Sequence, residues 1–277
     1  MSAPRETPLS AQGREGWIIC FSGVVRREAL RFFQQKERFV AALVRPLVWL
    51  FIFAAGFRAV LGVSLMQPYQ TYVLYEVYVL PGLCAMIVLF QGMQSALSMV
   101  YDRETGAMRT LLVSPYPRWF LLTAKLAGAV LISVLQVYAF LAVAWAYGIR
   151  PPVWGLVTVL PALILSGMLL GAIGLLLSST ISQLENFAGV MNFVIFPMFF
   201  ASSALYPLWR VREGSPILAD IAEANPFTHC VELIRYALYM QVNWSSFWAV
   251  LATGALFLGA AFWAYDPARG MMARRRG

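Results

Sequence analysis

Six long apolar runs, separated by short polar stretches, organise the chain: Phe39 to Leu61, Val77 to Met99, Trp119 to Tyr147, Val153 to Ser178, Phe187 to Leu208, and Trp244 to Tyr265. As helices rising about 1.5 Å per residue, each is long enough to cross about 30 Å of hydrocarbon. Tryptophans mark their ends. Trp119, Trp145, Trp154, Trp209, Trp244 and Trp263 fall near predicted water boundaries, where an amphipathic ring is most comfortable, and only Trp49 is clearly internal. Pro46, Pro81, Pro161 and Pro197 lie within or near the runs, so several helices are expected to kink, with the freed carbonyls satisfied by neighbours. In the fourth run Gly167, Gly171 and Gly174 follow small-xxx-small spacing, which allows close backbone approach; packing within the chain is the plainer use of it.

A different pattern precedes the first run. Residues 1–16 are polar, carry Pro and Gly, and show no apolar core behind a basic start, so they read as a flexible tail without a cleavable signal. From 17 to 38, Ile18, Phe21, Val25, Ala29, Phe32 and Phe33 recur at helical spacing, while Arg27, Arg31 and Arg38 fall along another face. This predicts an amphipathic interface helix lying in a membrane surface with its arginines toward lipid headgroups; a helix packed on a soluble partner is the alternative. The fold expected is thus an all-α membrane protein, with a six-span domain over 39–265 and a basic tail over 266–277.

Composition agrees. Of 277 residues 60% are hydrophobic, 12% charged and 14% aromatic, and the mean hydropathy is +0.69. Soluble domains sit near about 45–50% apolar and about 25% charged, so a water-soluble enzyme is a poor reading of this composition. The net charge of +8 raises the question of nucleic acid, and its distribution answers it. With a cytoplasmic N-terminus, 16 of the 21 Lys/Arg fall inside, leaving Arg58, Arg150, Arg210, Arg212 and Arg235 outside or near the outer surface. Both termini are then cytoplasmic, and topology alone explains the basic excess. Cys20, Cys84 and Cys230 have neither disulfide-framework nor metal spacing, and the lone His229 cannot build a metal site.

Catalytic signatures are missing: there is no HExxH, no GxSxG and no intramembrane aspartate pair, and Ser166-Gly167 is preceded at the required position by Ile164. A lipid-processing enzyme would need such a convergent set; a non-catalytic assembly or anchoring protein is the other reading outside transport. The only lysines, Lys36 and Lys125, lie outside any Gly-rich GK[ST] context, so if ATP is used another chain binds it.

The most informative polar stretch lies between the second and third runs, over 101–118. Met108, Leu111 and Leu112 form a short apolar face flanked by Asp102, Arg103, Glu104 and Arg109, before Ser114-Pro115 stops the helix. Such a helix suits a groove on a soluble partner; a plain polar turn is the alternative. Elsewhere, Tyr69, Tyr72, Tyr75 and Tyr78 at a spacing of three read as an interfacial tyrosine belt rather than a stacking surface for rings. Arg58 can snorkel outward, and Glu185 with Asn186 is placed to cap the fifth span. Ser215-Pro216 and Asn225-Pro226 each pair an N-cap with an N1 proline and predict two short helices in the outer segment 206–242. On the second, Glu232 and Arg235 are placed to pair locally.

Glu104, Gly106, Met108, Leu111, Ser114 and Pro115 make an E-x-G-x-[MT]-x-x-L-x-x-S-P pattern that resembles the cytoplasmic loop of the ABC type-2 exporter permeases, the group with drug-resistance, nodulation-factor and polysaccharide export permeases. Leu80-Pro81-Gly82-Leu83 and Asn225-Pro226-Phe227-Thr228, followed by Glu232 and Arg235, are similar to further elements of that family. The resemblance implies a transmembrane permease subunit of a bacterial inner membrane, paired with a second permease copy. ATP and Mg would belong to a separate cytoplasmic ATPase subunit, with no cofactor in this chain. It also implies that residues near 102–115 include the coupling helix, with Asp102, Glu104 and Arg109 among its candidate contacts and Gly106 and Pro115 shaping turns. The short outer helices would be re-entrant, between the fifth and sixth spans.

Overall fold

A computed structural model describes residues 14–34, 36–57, 68–69, 74–106, 116–181 and 183–265; the side chains of residues 14, 15, 31, 33, 36–39 and 53–57 fall outside that description. Ten helices are present among the described residues: α1 (Arg14–Gln34), α2 (Lys36–Phe57), α3 (Tyr75–Glu104), α4 (Arg118–Tyr147), α5 (Gly155–Thr180), α6 (Leu184–Phe200), α7 (Leu208–Gly214), α8 (Pro216–Ala224), α9 (Pro226–Leu238) and α10 (Trp244–Ala264). Among the described residues, α3, α4, α5 and α10 are long and apolar enough to cross a membrane, and α6 is an apolar helix of 17 residues. Every regular element among the described residues is helical, and the four long apolar helices are those of a multi-pass membrane protein.

Local chemistry sets the boundaries. α4 ends at Gly148, whose φ of +109° suits the left-handed position, with Ile149 N–H returning to the Ala144 carbonyl at 3.0 Å. α8 and α9 open as their Ser-Pro and Asn-Pro pairs predict: Ser215 accepts from Leu218 N–H, and Asn225 Oδ1 from Phe227 N–H at 3.0 Å. Pro46, Pro81, Pro161 and Pro197 all lie inside helices.

α5 is the central helix, packed on α3, α4, α9 and α10. Between helices in lipid no water-driven force acts, so backbone proximity and hydrogen bonds must hold them. The glycine stripe serves that purpose within the chain. A Cβ on Gly92 of α3 would lie 3.1 Å from the Gly171 Cα, and one on Gly167 would lie 3.0 Å from the Val130 side chain of α4.

Two expectations change. Within the stretch 17–38, residues up to Gln34 lie in α1 and Arg38 lies in α2, residue 35 being outside the described residues. α1 rests on α4: Trp17 packs edge-on against Phe120 at 4.7 Å, and Glu28 covers Gly128. Ile18, Ile19 and Leu30 therefore face outward beside the exposed Arg27, so apolar and basic residues share the outer side. The fifth apolar run is helical only to Phe200, for a reason that lies in the site below. Arg58 and Tyr72 fall outside the described residues.

Candidate functional site

α3 is a rod of 30 residues, about 45 Å long, and each end carries a polar cluster. At its C-terminal end three consecutive charged residues reach three different helices. Asp102 accepts from Lys125 Nζ of α4 at 2.9 Å, with side-chain exposures of 9% and 3%. Arg103 donates to the Ser178 carbonyl of α5 at 2.6 Å and to Tyr265 Oη, just past α10, at 3.1 Å; Ser178 Oγ and Tyr265 Oη lie 2.7 Å apart. Glu104 Oε1 accepts from Leu184 N–H at 2.8 Å, the first residue of α6. Arg118, at the start of α4, donates to the Tyr265 carbonyl at 3.4 Å. The ends of α3, α4, α5, α6 and α10 are thereby tied at one point. Gly106 follows at φ +73°, which favours glycine and turns the chain out of the helix.

Of the residues singled out in this stretch, Asp102, Glu104 and Gly106 are described, whereas Met108, Arg109, Leu111, Ser114 and Pro115 lie outside the described residues. Lys125, Ser178 and Tyr265 are not among the candidate residues of the sequence, and Arg103 stands there only as a flanking charge. The signal for Lys125 was present: a lysine between Leu121, Leu122 and Leu126 in an apolar helix needs a counter-charge. Glu185 lies in the first turn of α6, as expected for an acidic residue there, and Glu104, from a distant part of the sequence, supplies the acceptor for the first amide.

The opposite cluster surrounds the break after α6. Residues 201–207 are non-helical yet mostly buried, so their carbonyls need partners from the protein. Asn225 Nδ2 donates to the Met198 and Ala201 carbonyls at 2.8 and 2.6 Å. Tyr78 Oη and Arg235 Nη2 both donate to the Ser203 carbonyl, at 3.0 and 2.8 Å. Tyr75 Oη donates to the Leu205 carbonyl at 2.6 Å. Gly82 lets the segment in, because a Cβ there would collide with Ala204. These bonds are why the fifth run leaves the helix before Leu208.

Arg235, fully buried, pairs with Glu232 one turn away and stacks over the Tyr78 ring at 4.2 Å. Asn225, Pro226, Glu232 and Arg235 are thus brought into one cluster with Tyr75 and Tyr78. The tyrosine belt is corrected here: Tyr69, Tyr75 and Tyr78 are 8%, 3% and 0% exposed, and their hydroxyls bond backbone carbonyls. Above the cluster, Arg212 bridges α7 to α8 through Glu223 at 2.6 Å and Asp220 at 3.1 Å; those carboxylates, Glu223 first, raise its pKa. Being exposed, this bridge adds little stability.

Residues 20–239 match the family described as ABC-2 type transporter. The chain belongs to the ABC-2 transporter family. It is 30% identical over 197 residues to a protein of Escherichia coli (strain K12) named probable multidrug ABC transporter permease YbhR, a match covering 68% of this chain and 52% of that protein. It is 25% identical over 228 residues to the putative transport permease ycf38 of Porphyra purpurea, covering 80% and 74%, and 26% identical over 219 residues to that of Cyanophora paradoxa, covering 77% and 72%. The chain spans about half the length of the Escherichia coli relative that it matches. Each of these relatives carries the name of a transport or transporter permease, and the likeness to them extends over most of this chain. The matched stretch contains both ends of α3 and every residue of the two clusters except Tyr265.

Proposed function

We propose that this ABC-2 permease is the membrane-spanning half of an exporter, working as a pair of copies driven by separate cytoplasmic ATPase subunits that hold ATP and its Mg. The single observation that carries this reading is the convergence of five helix ends on Asp102, Arg103 and Glu104, immediately before the stretch whose pattern resembles a coupling helix. A push on that stretch reaches α4, α5, α6 and α10 together, because each is bonded to one of the three residues. Closure of an ATPase dimer would then move the bundle between two states as a unit.

In this reading α2, α3, α4, α5, α6 and α10 are six spans of a bacterial inner membrane. Both termini and the coupling stretch are cytoplasmic, with α1 at the inner surface and α8 and α9 as re-entrant helices in the outer leaflet. Burial of the non-helical segment 201–207 within protein supports the re-entrant placement. The exposed faces of α2 (Val44, Val48, Ile52) and α6 (Val190, Phe193, Phe196) are apolar, as surfaces toward lipid or a second copy must be.

The test is copurification from native membranes. A P-loop ATPase subunit should accompany the chain, the chain alone should hydrolyse no ATP, and charge reversal at Arg109 should weaken the assembly while the bundle stays folded. Intact assembly and coupled hydrolysis after reversal at both Glu104 and Arg109 would remove the docking assignment.

A further inference from the structure

A second polar feature lies away from both clusters. A cleft of about 160 Å³, open on one side, lies between α1, α2, α3 and α4 beside the middle of α3. Its deepest polar group is Gln136 of α4, 1% exposed, whose Nε2 and Oε1 both lack a hydrogen-bond partner among the described residues. An amide buried in an apolar bundle with neither end bonded carries its full desolvation cost. At the exposed side stands Arg45 of α2, its guanidinium 3.9 Å from the centre of the Phe90 ring. Arg45 pairs with no carboxylate among the described residues. The acidic wall residue, Glu28, is occupied by Arg27 at 3.1 Å.

Arg45 stands in the first turns of the apolar run with its head exposed and only the Phe90 ring against it, so an anion reaching this side would find an unneutralised guanidinium. Beside Arg45 the exposed stripe Val44, Val48 and Ile52 runs along α2 at one-turn spacing, and Met86, Ile87 and Ile132 line the cleft wall. A ligand that satisfies all three features has an anionic head for Arg45, a hydrogen-bonding group for the Gln136 amide, and a hydrocarbon chain for the stripe. We infer that this cleft binds a phosphate-bearing amphiphile, its phosphate on Arg45, its neighbouring polar group on Gln136 and its chain along Val44, Val48 and Ile52. Two sources share this chemistry, a membrane phospholipid and a single-chain solute that enters from the membrane. The site does not depend on the transport reading.

The test measures binding of radiolabelled dodecyl phosphate to the full chain purified in maltoside detergent, with dodecanol, inorganic phosphate and phosphatidylglycerol as competitors. Arg45→Gln should weaken binding by about tenfold or more, as loss of a charge-assisted contact requires. Gln136→Leu should weaken it by several-fold, while Arg45→Lys keeps most of it and Arg26→Gln, on the outer side of α1, changes nothing. Dodecanol and inorganic phosphate should displace the probe poorly. Displacement by phosphatidylglycerol identifies the phospholipid as the source; failure to displace identifies the single-chain solute, and either supports the site. Wild-type binding by Arg45→Gln, or equal displacement by dodecanol or by inorganic phosphate, overturns it. Matched thermal unfolding midpoints show that the variants fold; if Gln136→Leu does not, the contrast between Arg45→Gln and Arg45→Lys decides alone.

Discussion

Lys125 Nζ lies 2.9 Å from Asp102 Oδ2, and the pair is nearly closed to solvent where α3 meets α4. Removing one partner of such a pair takes from the other charge its nearest counter-ion, which costs up to about 3–5 kcal/mol, whereas replacing both by neutral groups is often tolerated. Lys125→Met is therefore expected to lower the thermal unfolding midpoint in detergent sharply. Lys125→Met combined with Asp102→Leu should recover much of that loss. A double variant as unstable as the sum of the singles would show that the two residues act independently.

Glu104 is exposed, yet it supplies an acceptor for the first amide of α6. Loss of a capping acceptor costs about 1 kcal/mol. Glu104→Gln keeps an amide oxygen in reach and should hold the cap, while Glu104→Ala should speed hydrogen exchange at the Leu184 amide. The two variants also separate roles. A docking contact that needs the negative charge fails in both, whereas an effect seen only in Glu104→Ala comes from the cap.

Much of this arrangement is legible in the amino-acid sequence. Ser215-Pro216 and Asn225-Pro226 carry their own start signals, because capping is a local event between a side chain and amides two or three residues on. The apolar runs announced the long helices for the same reason. What was hidden depends on distant pairs: Tyr78 and Arg235 meet at the Ser203 carbonyl, and Glu104 meets Leu184, although each pair is far apart in sequence. Tyr75 and Tyr78 looked interfacial because tyrosine suits both a water boundary and a buried site with one acceptor. Only the broken backbone after Phe200 shows which applies, and nothing in the run from Phe187 to Leu208 marks that break unambiguously.

Gly82 faces the Ala204 backbone so closely that a Cβ has no room. Rigid backbone on both sides leaves no flexible side chain to move, so the segment must shift as a whole. Gly82→Ala is expected to cost about 1–3 kcal/mol and Gly82→Val more, as overpacking does. The shift should also lengthen the Tyr78 and Arg235 contacts with Ser203, read as faster exchange in residues 201–207. An unchanged midpoint for Gly82→Val would mean that the segment sits farther from α3.

Arg235 makes three interactions that a lysine cannot reproduce together: the pair with Glu232, the bond to the Ser203 carbonyl and the stack on Tyr78. Arg235→Lys is expected to destabilise the chain measurably, and Arg235→Leu to destabilise it by about 3–5 kcal/mol by leaving Glu232 without its cation. Arg235→Leu with Glu232→Gln should be milder than Arg235→Leu alone. If transport and stability fall in proportion across these variants, the cluster is a structural anchor; a loss of transport at wild-type stability would instead place Arg235 in contact with the solute.

Topology connects these sites to their compartments. α3 separates Thr105 from the Tyr75 end by the length of the helix, so the two ends open on opposite sides if α3 spans the membrane. Cys84 and Cys230 are buried and Cys20 is partly exposed, so Cys20→Ser leaves a background of low reactivity. In that background a membrane-impermeant maleimide should label Asp220→Cys on intact cells and reach Thr105→Cys only after permeabilisation, both positions being exposed. Labelling of Thr105→Cys on intact cells would put the convergence of helix ends on the side without nucleotide, and the coupling role proposed for Asp102, Arg103 and Glu104 would have no source of drive.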